Sequence, residues 1–367
     1  MKIVYLTDQF YLHGGIEKML SLKIEYLIKN LKYDVVLCTS EHKQNNFVYE
    51  LPSELVHLDL DINYQRTKSY FHPINLIKSF KHYKKLKRVL AELKPDVIIS
   101  VNYTPEQFFL PFIEKNIPKI KEFHSSGSNV KNNNGIIGKL KSYLFSLFAK
   151  YDTLVLLNEK EKEYYPFNNL EVIPNFILLP VKKQLVDREK IIIAAGRIAP
   201  VKQFDHLIKA WELIENEFPL WQVQIYGGGD EELLVQFNQY INNKNIPRVH
   251  FMGATNSLID KMQKASIYAM TSSSECFPMV LLEAMACGLP IISYDCPNGP
   301  RSIIIDQVDG VLTPCNDINT FAFELKRLIQ SKDLIVQMGE IGMENVKQYS
   351  EIAIMNKWNQ LFSKLIS

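Results

Sequence analysis

The sequence is short of paired cysteines, of long apolar runs and of net charge. Its five cysteines, Cys38, Cys276, Cys287, Cys296 and Cys315, form an odd set with no C-x-x-C pair. That disfavours both a disulfide framework and a zinc site, and it fits a reducing compartment. The longest apolar stretch, around Phe277–Ile292, is broken by Glu283, Gly288 and Pro290, and the opening Met1–Leu6 is cut off by Asp8. The first does not span a bilayer, and the second is too short for a signal-peptide core. A net charge of +2 supplies no global field for a polyanion, so no nucleic-acid partner is expected. No G-x-G-x-x-G follows the first strand and no acidic residue is suitably placed after the second to hold a ribose. These two gaps set aside a nicotinamide-dependent oxidoreductase. The expectation is a cytoplasmic protein, at most lying on the inner face of the cell membrane.

What is present is an alternation of short apolar runs with amphipathic stretches, in a chain whose 367 residues suit two domains. Strand candidates in the first half are Ile3–Leu6, Val35–Cys38, Val97–Ser100, Ile120–Phe123, Thr153–Leu156 and Glu171–Ile173. The second half offers Ile191–Ala195, Gln222–Tyr226, Val249–Met252, Ile267–Met270 and Ile291–Tyr294. The pattern predicts an α/β protein built from two blocks of βα units. A polar, charged stretch over Leu178–Lys190 reads as the linker. The expected domains are therefore residues 1–178 and 179–350, followed by a terminal helix over 351–367 that returns to the first domain in proteins of this build.

Base is concentrated in Leu76–Lys94, where Lys78, Lys81, Lys84, Lys85, Lys87, Arg88 and Lys94 face the single acid Glu92. Such a stretch is either a solvated helix face or a patch for anionic lipid headgroups or an anionic acceptor. Ile136–Tyr151 places Ile136, Ile137, Leu140, Leu144, Leu147 and Phe148 on one helical face with lysines at its edges. That face packs against a core or rests on a membrane surface.

The chemistry concentrates in Ser272-Ser-Ser-Glu-Cys-Phe-Pro-Met-Val-Leu-Leu-Glu-Ala-Met-Ala-Cys-Gly-Leu-Pro. Pro278 stands where a first-turn proline is tolerated and Gly288 where a helix ends, so Pro278–Cys287 reads as a short helix after the strand Ile267–Met270. Open parallel sheets bind ligands at that edge, and the first-turn amides of Met279 and Val280 suit a diphosphate. Glu275 and Glu283 bracket the helix start, with eight residues of helix rising roughly 12 Å. A hydrolytic pair needs its carboxyls within about 5–9.5 Å, so this spacing suits two groups holding different parts of one extended ligand.

In this setting the chain resembles the family 4 retaining glycosyltransferases, which have the GT-B fold of two Rossmann-like domains facing a central cleft. The resemblance is carried by motifs in order along most of the chain. They are His13-Gly-Gly-Ile-Glu-Lys, Phe123-His-Ser-Ser, Val172-Ile-Pro-Asn-Phe, Ala195-Gly-Arg-Ile-Ala-Pro-Val-Lys-Gln-Phe, Ile225-Tyr-Gly-Gly-Gly-Asp, Phe251-Met-Gly and the glutamate segment. The resemblance implies that Gly14 and Gly15 bring backbone close to the donor phosphate and acceptor. It also implies that His124 contacts sugar and phosphate, and that Arg197 and Lys202 bind the diphosphate. By the same resemblance Glu275 holds donor-sugar hydroxyls and Glu283 the ribose, while Gly227 and Gly228 form a turn touching the nucleotide. Met279 and Val280 supply amides to the phosphates.

No metal or other cofactor is expected; the nucleotide sugar is a co-substrate, and fixed positive charge takes the place of magnesium. The letters Asp59-Leu-Asp61 lie far from the donor motifs. Tyr294-Asp-Cys-Pro-Asn-Gly-Pro-Arg resembles the subgroup that builds bacterial surface polysaccharides and lipid-linked oligosaccharides, although that subgroup often carries a glutamate where Arg301 or Ser302 stands. The implied function is retaining transfer of a hexose or N-acetylhexosamine from a UDP-linked donor to a saccharide acceptor, itself lipid-linked, with peripheral contact to an anionic membrane. Two alternatives stay open: a UDP-sugar 2-epimerase, and a non-catalytic nucleotide- or carbohydrate-binding relative.

Overall fold

The computed structural model describes residues 1–12, 14–101, 103–127, 136–179 and 188–366. Two compact units result, one formed by Met1–Pro174 with Ile354–Ser367 and the other by Asn175–Ala353. Of the expected linker, residues 180–187 lie outside the described residues, as does His13.

The first unit holds a seven-stranded sheet of β1 (Lys2–Thr7), β2 (Asp34–Thr39), β3 (Val56–Asp59), β4 (Val97–Ser100), β5 (Lys119–Glu122), β6 (Thr153–Leu156) and β7 (Leu170–Val172). Its order is β3-β2-β1-β4-β5-β6-β7. Every pairing is parallel, with Ile3 opposite Val35 on one side and Val97 on the other. Strands covered on both faces read as continuous apolar runs, as Ile3–Leu6 and Val97–Ile99 do. The strand β3 was not expected from the sequence: it is an edge strand with Val56 and Asp59 exposed, so neither apolar continuity nor alternation announces it. The charged β5 begins one residue before its expected start.

The helix Glu351–Ile366 places its last three turns on this unit. Trp358 and Phe362 are fully buried, Tyr33 donates to Asn359 Oδ1 at 2.5 Å, and the Lys23 ammonium sits 4.4 Å from the Trp358 ring centre.

The second unit holds six parallel strands, β8 (Ile191–Ala195), β9 (Gln222–Tyr226), β10 (Val249–Gly253), β11 (Ile267–Met270), β12 (Ile291–Tyr294) and β13 (Gly310–Thr313), in the order β10-β9-β8-β11-β12-β13. Its core packs Ile192, Trp211, Val223, Ile267, Ile292 and Phe321 between the sheet and its helices. Here β13, opening on a glycine and four residues long, escaped the sequence pattern. In each sheet the strand order reverses once, between β1 and β4 and between β8 and β11. A crevice opens outside the carboxyl ends of such strands.

Among the described residues, no helix is long and apolar enough to cross a membrane.

Candidate functional site

In the second unit the loops leaving β8, β9 and β11 are stitched together by their backbones. Gly196 N–H donates to Tyr226 O, Ile198 N–H to Gly228 O and Asp230 N–H to Ile198 O, at 3.0, 2.8 and 2.9 Å. Gly227 has φ +147°, and a Cβ there would lie 1.8 Å from the Gly196 carbonyl oxygen, so only glycine allows the two loops to meet. Gly228 lies between these contacts, and a Cβ there would meet only the Ala254 methyl, at 3.9 Å. On the other side Ser273 N–H donates to Val201 O at 2.8 Å, while Thr271 Oγ1 donates to Lys202 O and Gln203 O.

These bonds bring together two residues 73 positions apart. Lys202 ends the 3-10 turn Pro200–Lys202 and runs its stem over Gly196. Its ammonium donates to Glu275 Oε1 at 2.6 Å, with the two side chains 20% and 14% exposed. Glu275 is braced from behind, because its backbone bridges to Asn298 and a Cβ on Gly299 would come within 2.7 Å of its own. Arg197 is exposed beside them, and no carboxylate pairs with it among the described residues.

The helix Met279–Ala286 starts one residue later than expected, with Pro278 as its extended N-cap rather than its first turn. Met279 and Val280 are partly exposed and, as first-turn residues, have no helical carbonyl to accept their amide hydrogens. Glu283 is buried one turn further in. Tyr268, whose hydroxyl donates to Ala195 O at 3.2 Å, has its phenol pushed up by burial, with Glu283 and Glu275 adding to the shift.

In the first unit, Gly14 caps the helix Gly15–Lys29. A Cβ on Gly14 would lie 2.1 Å from Glu17 Oε2, whereas one on Gly15 would meet nothing. Close approach thus belongs to Gly14, and it serves Glu17, which also accepts from Gln9 Nε2 at 2.7 Å. His124 follows β5 with its side chain 6% exposed, and its Nε2 lies 3.1 Å from Glu122 Oε2. Burial lowers the imidazole pKa, against the pull of Glu122. The ring is neutral near neutrality, and Nε2–H donates because a carboxylate only accepts. Burial alone would raise Glu122, but the Lys23 ammonium at 2.5 Å and the His124 bond hold it down to about 2.

The sequence and the fold match known proteins. The family described as glycosyl transferases group 1 matches residues 177–345. An uncharacterized glycosyltransferase of Haemophilus influenzae is 30% identical over 300 residues, covering 78% of this chain and 82% of its own. The chain belongs to the group 1 glycosyl transferases. Similarity to the amylovoran biosynthesis glycosyltransferase AmsD of Erwinia amylovora, 25% identical, extends over 99% of both chains. The structure of HepE from Anabaena in complex with UDP superimposes with a TM-score of 0.77 at 16% identity, covering 99% of this chain and 100% of that one. The two sheets are those of the GT-B fold.

Sequence reasoning on this glycosyltransferase missed Lys23, Glu122 and Glu17. The signal was available for Glu122: Lys119-Ile-Lys-Glu is an oddly charged run for a strand flanked on both sides, where apolar residues are the rule. Lys121 in the same strand is fully buried, and burial pulls its ammonium down to about 8 against the charges of Glu106 and Glu122.

Proposed function

We propose that this glycosyltransferase moves a hexose or N-acetylhexosamine from a UDP-linked donor, with retention and without a metal ion, to a lipid-linked saccharide acceptor. The setting is the cytoplasmic face of a membrane during cell-surface polysaccharide synthesis. The observation that carries the reading is the Lys202–Glu275 pair at the carboxyl edge between β8 and β11, beside the exposed Arg197 and the amino end of the helix Met279–Ala286. The names of relatives supply context: AmsD is a glycosyltransferase of amylovoran biosynthesis, and the HepE structure is a complex with UDP.

Departure of the nucleoside diphosphate leaves negative charge on the β-phosphate and positive character on the anomeric carbon. Lys202, Arg197 and the amides of Met279 and Val280 stabilise the first, in a setting where fixed donors need no reorganisation. Glu275 accepts hydrogen bonds from donor-sugar hydroxyls, and Glu283 accepts from the ribose. Lys202 neutralises Glu275, which lowers the cost of holding a carboxylate where a diphosphate is to bind. In the first unit Lys23 and Glu122 fix His124 in one tautomer, as a neutral donor toward Glu122 and an acceptor at Nδ1.

The test is calorimetry with UDP, GDP, ADP and CMP in chelator, followed by slow hydrolysis of UDP-sugars. Selective binding of UDP and release of free sugar are expected. Release of a 2-epimerised sugar without any acceptor would move the reading to the epimerase alternative. Binding without turnover would move it to the non-catalytic one.

A further inference from the structure

The helix Pro73–Leu93 is fixed to the first unit along one face and divided on the other. Asn75 Oδ1 accepts from Gln65 N–H, and its Nδ2 donates to the carbonyls of Gln65, Lys68 and Ser69 at 3.0–3.3 Å. His82, Leu86 and Leu90 are buried, and Lys85 Nζ donates to Leu60 O at 2.6 Å. The outward face is apolar through its first two turns and cationic beyond. Ile77 is 71% exposed and Phe80 60%, and Phe71, Ile74 and Leu76 are exposed beside them. Lys81, Lys84, Lys87 and Arg88 follow, with Glu92 the one acid of the helix and Lys84 Nζ 4.4 Å from the Phe80 ring centre. A cluster of large apolar side chains left in water marks an interaction surface, and the adjoining cations specify an anionic one.

The direction of the helix gives that surface a meaning. Its start is tied to the loop carrying Arg66, which binds Asp8 at 2.6 Å and also Glu41, the residues just past β1 and β2. Its end is tied to Lys2, whose Nζ donates to Leu93 O and whose amide donates to Asp96. The apolar end therefore lies at the carboxyl edge of the sheet, where Leu12 and Tyr103 are also exposed, and the cationic end lies at the amino edge.

We propose that the first two turns of this helix insert into an anionic bilayer leaflet, with Lys81, Lys84, Lys87 and Arg88 resting on its headgroups. This docking sets the carboxyl edge between β1 and β4 against the membrane. A lipid-linked saccharide can then reach that edge without leaving the leaflet; this consequence rests on the acceptor class proposed above, whereas the docking itself does not.

The test is co-sedimentation of the full chain with phosphatidylcholine vesicles, with and without one part in three phosphatidylglycerol, at low and high salt. Binding only to the anionic vesicles is expected. Ile77→Asp with Phe80→Asp should weaken it roughly tenfold at either salt, and Lys84→Glu with Lys87→Glu should weaken it at low salt alone. All four positions face solvent, so unchanged thermal unfolding checks the fold. Wild-type binding by the Ile77/Phe80 variant overturns the proposal. So does equal binding to neutral vesicles, or a dimer seen by light scattering that the same substitutions dissolve. UDP calorimetry on both proteins keeps the questions apart: absent UDP binding sinks the donor reading and leaves the vesicle result standing.

Discussion

Lys202 Nζ and Glu275 Oε1 are 2.6 Å apart, in a half-shielded position where each residue supplies the other's counter-charge. Under the proposed reading a diphosphate competes with Glu275 for the ammonium, and sugar hydroxyls compete with Lys202 for the carboxylate. Lys202→Ala is expected to lower kcat by about a hundredfold, the scale of losing one charged donor to a leaving group. Glu275→Ala should cost a similar factor, and the double variant should cost less than the product of the two. Initial rates on the four proteins check this; strict multiplication would show that the two groups act independently.

The proposed reading assigns Glu283 to the ribose of the nucleotide. Glu283→Ala is expected to weaken UDP binding by roughly tenfold to a hundredfold, as removal of an acceptor shared by two ribose hydroxyls should. Isothermal calorimetry decides, and unchanged affinity removes the ribose assignment.

Three glycines separate packing from ligand contact. Gly227→Ala should destabilise by about 3 kcal/mol, because it combines an unfavourable φ with a backbone collision. Gly14→Ala should cost less, since the atom it meets is the movable end of Glu17. Gly15→Ala has room and stands at a helix start, so stability should hold or rise slightly. A loss of turnover in Gly15→Ala with an unchanged denaturation midpoint would be direct evidence that ligand approaches that backbone.

Acid sensitivity should be traceable to His82, which is 2% exposed and whose pKa burial, aided by Lys85, lowers from 6.5 to about 3. Between those values the unfolded chain takes up a proton that the folded chain refuses. Stability is therefore full above the unfolded value and falls as pH falls, by about 1.4 kcal/mol per unit. Urea denaturation at pH 6.5 and pH 5 should show wild type losing roughly 1.6 kcal/mol more than His82→Gln over this interval. His57 and His124 are lowered too and remain in both proteins, so the difference isolates His82. Parallel losses would mean that His82 is not the group being protonated.

The parallel strands were readable because burial on both faces writes itself as apolar runs, and the helix after β11 because proline and glycine punctuate it. The edge strands β3 and β13 lacked that imprint. Site chemistry was readable one residue at a time: Lys202 and Glu275 stand in separate motifs, and only the hydrogen bonds from Thr271 and Ser273 to the carbonyls of Val201–Gln203 make them partners. The support beneath His124 was hidden for the same reason, since Lys23 and Glu122 are 99 positions apart in the chain.

The return of Ile354–Ser367 to the first unit bears on the order of synthesis. Trp358 and Phe362 belong to the interior of a unit whose other residues end at Pro174, while the second unit occupies the stretch between. At about 5–20 residues per second, the ribosome spends roughly 10–35 s on that stretch. The second unit can finish folding as it emerges. The first waits through the same interval with Lys23 lacking its aromatic cover, so a chaperone that binds nascent chains should hold the earlier half of this protein longer than the later.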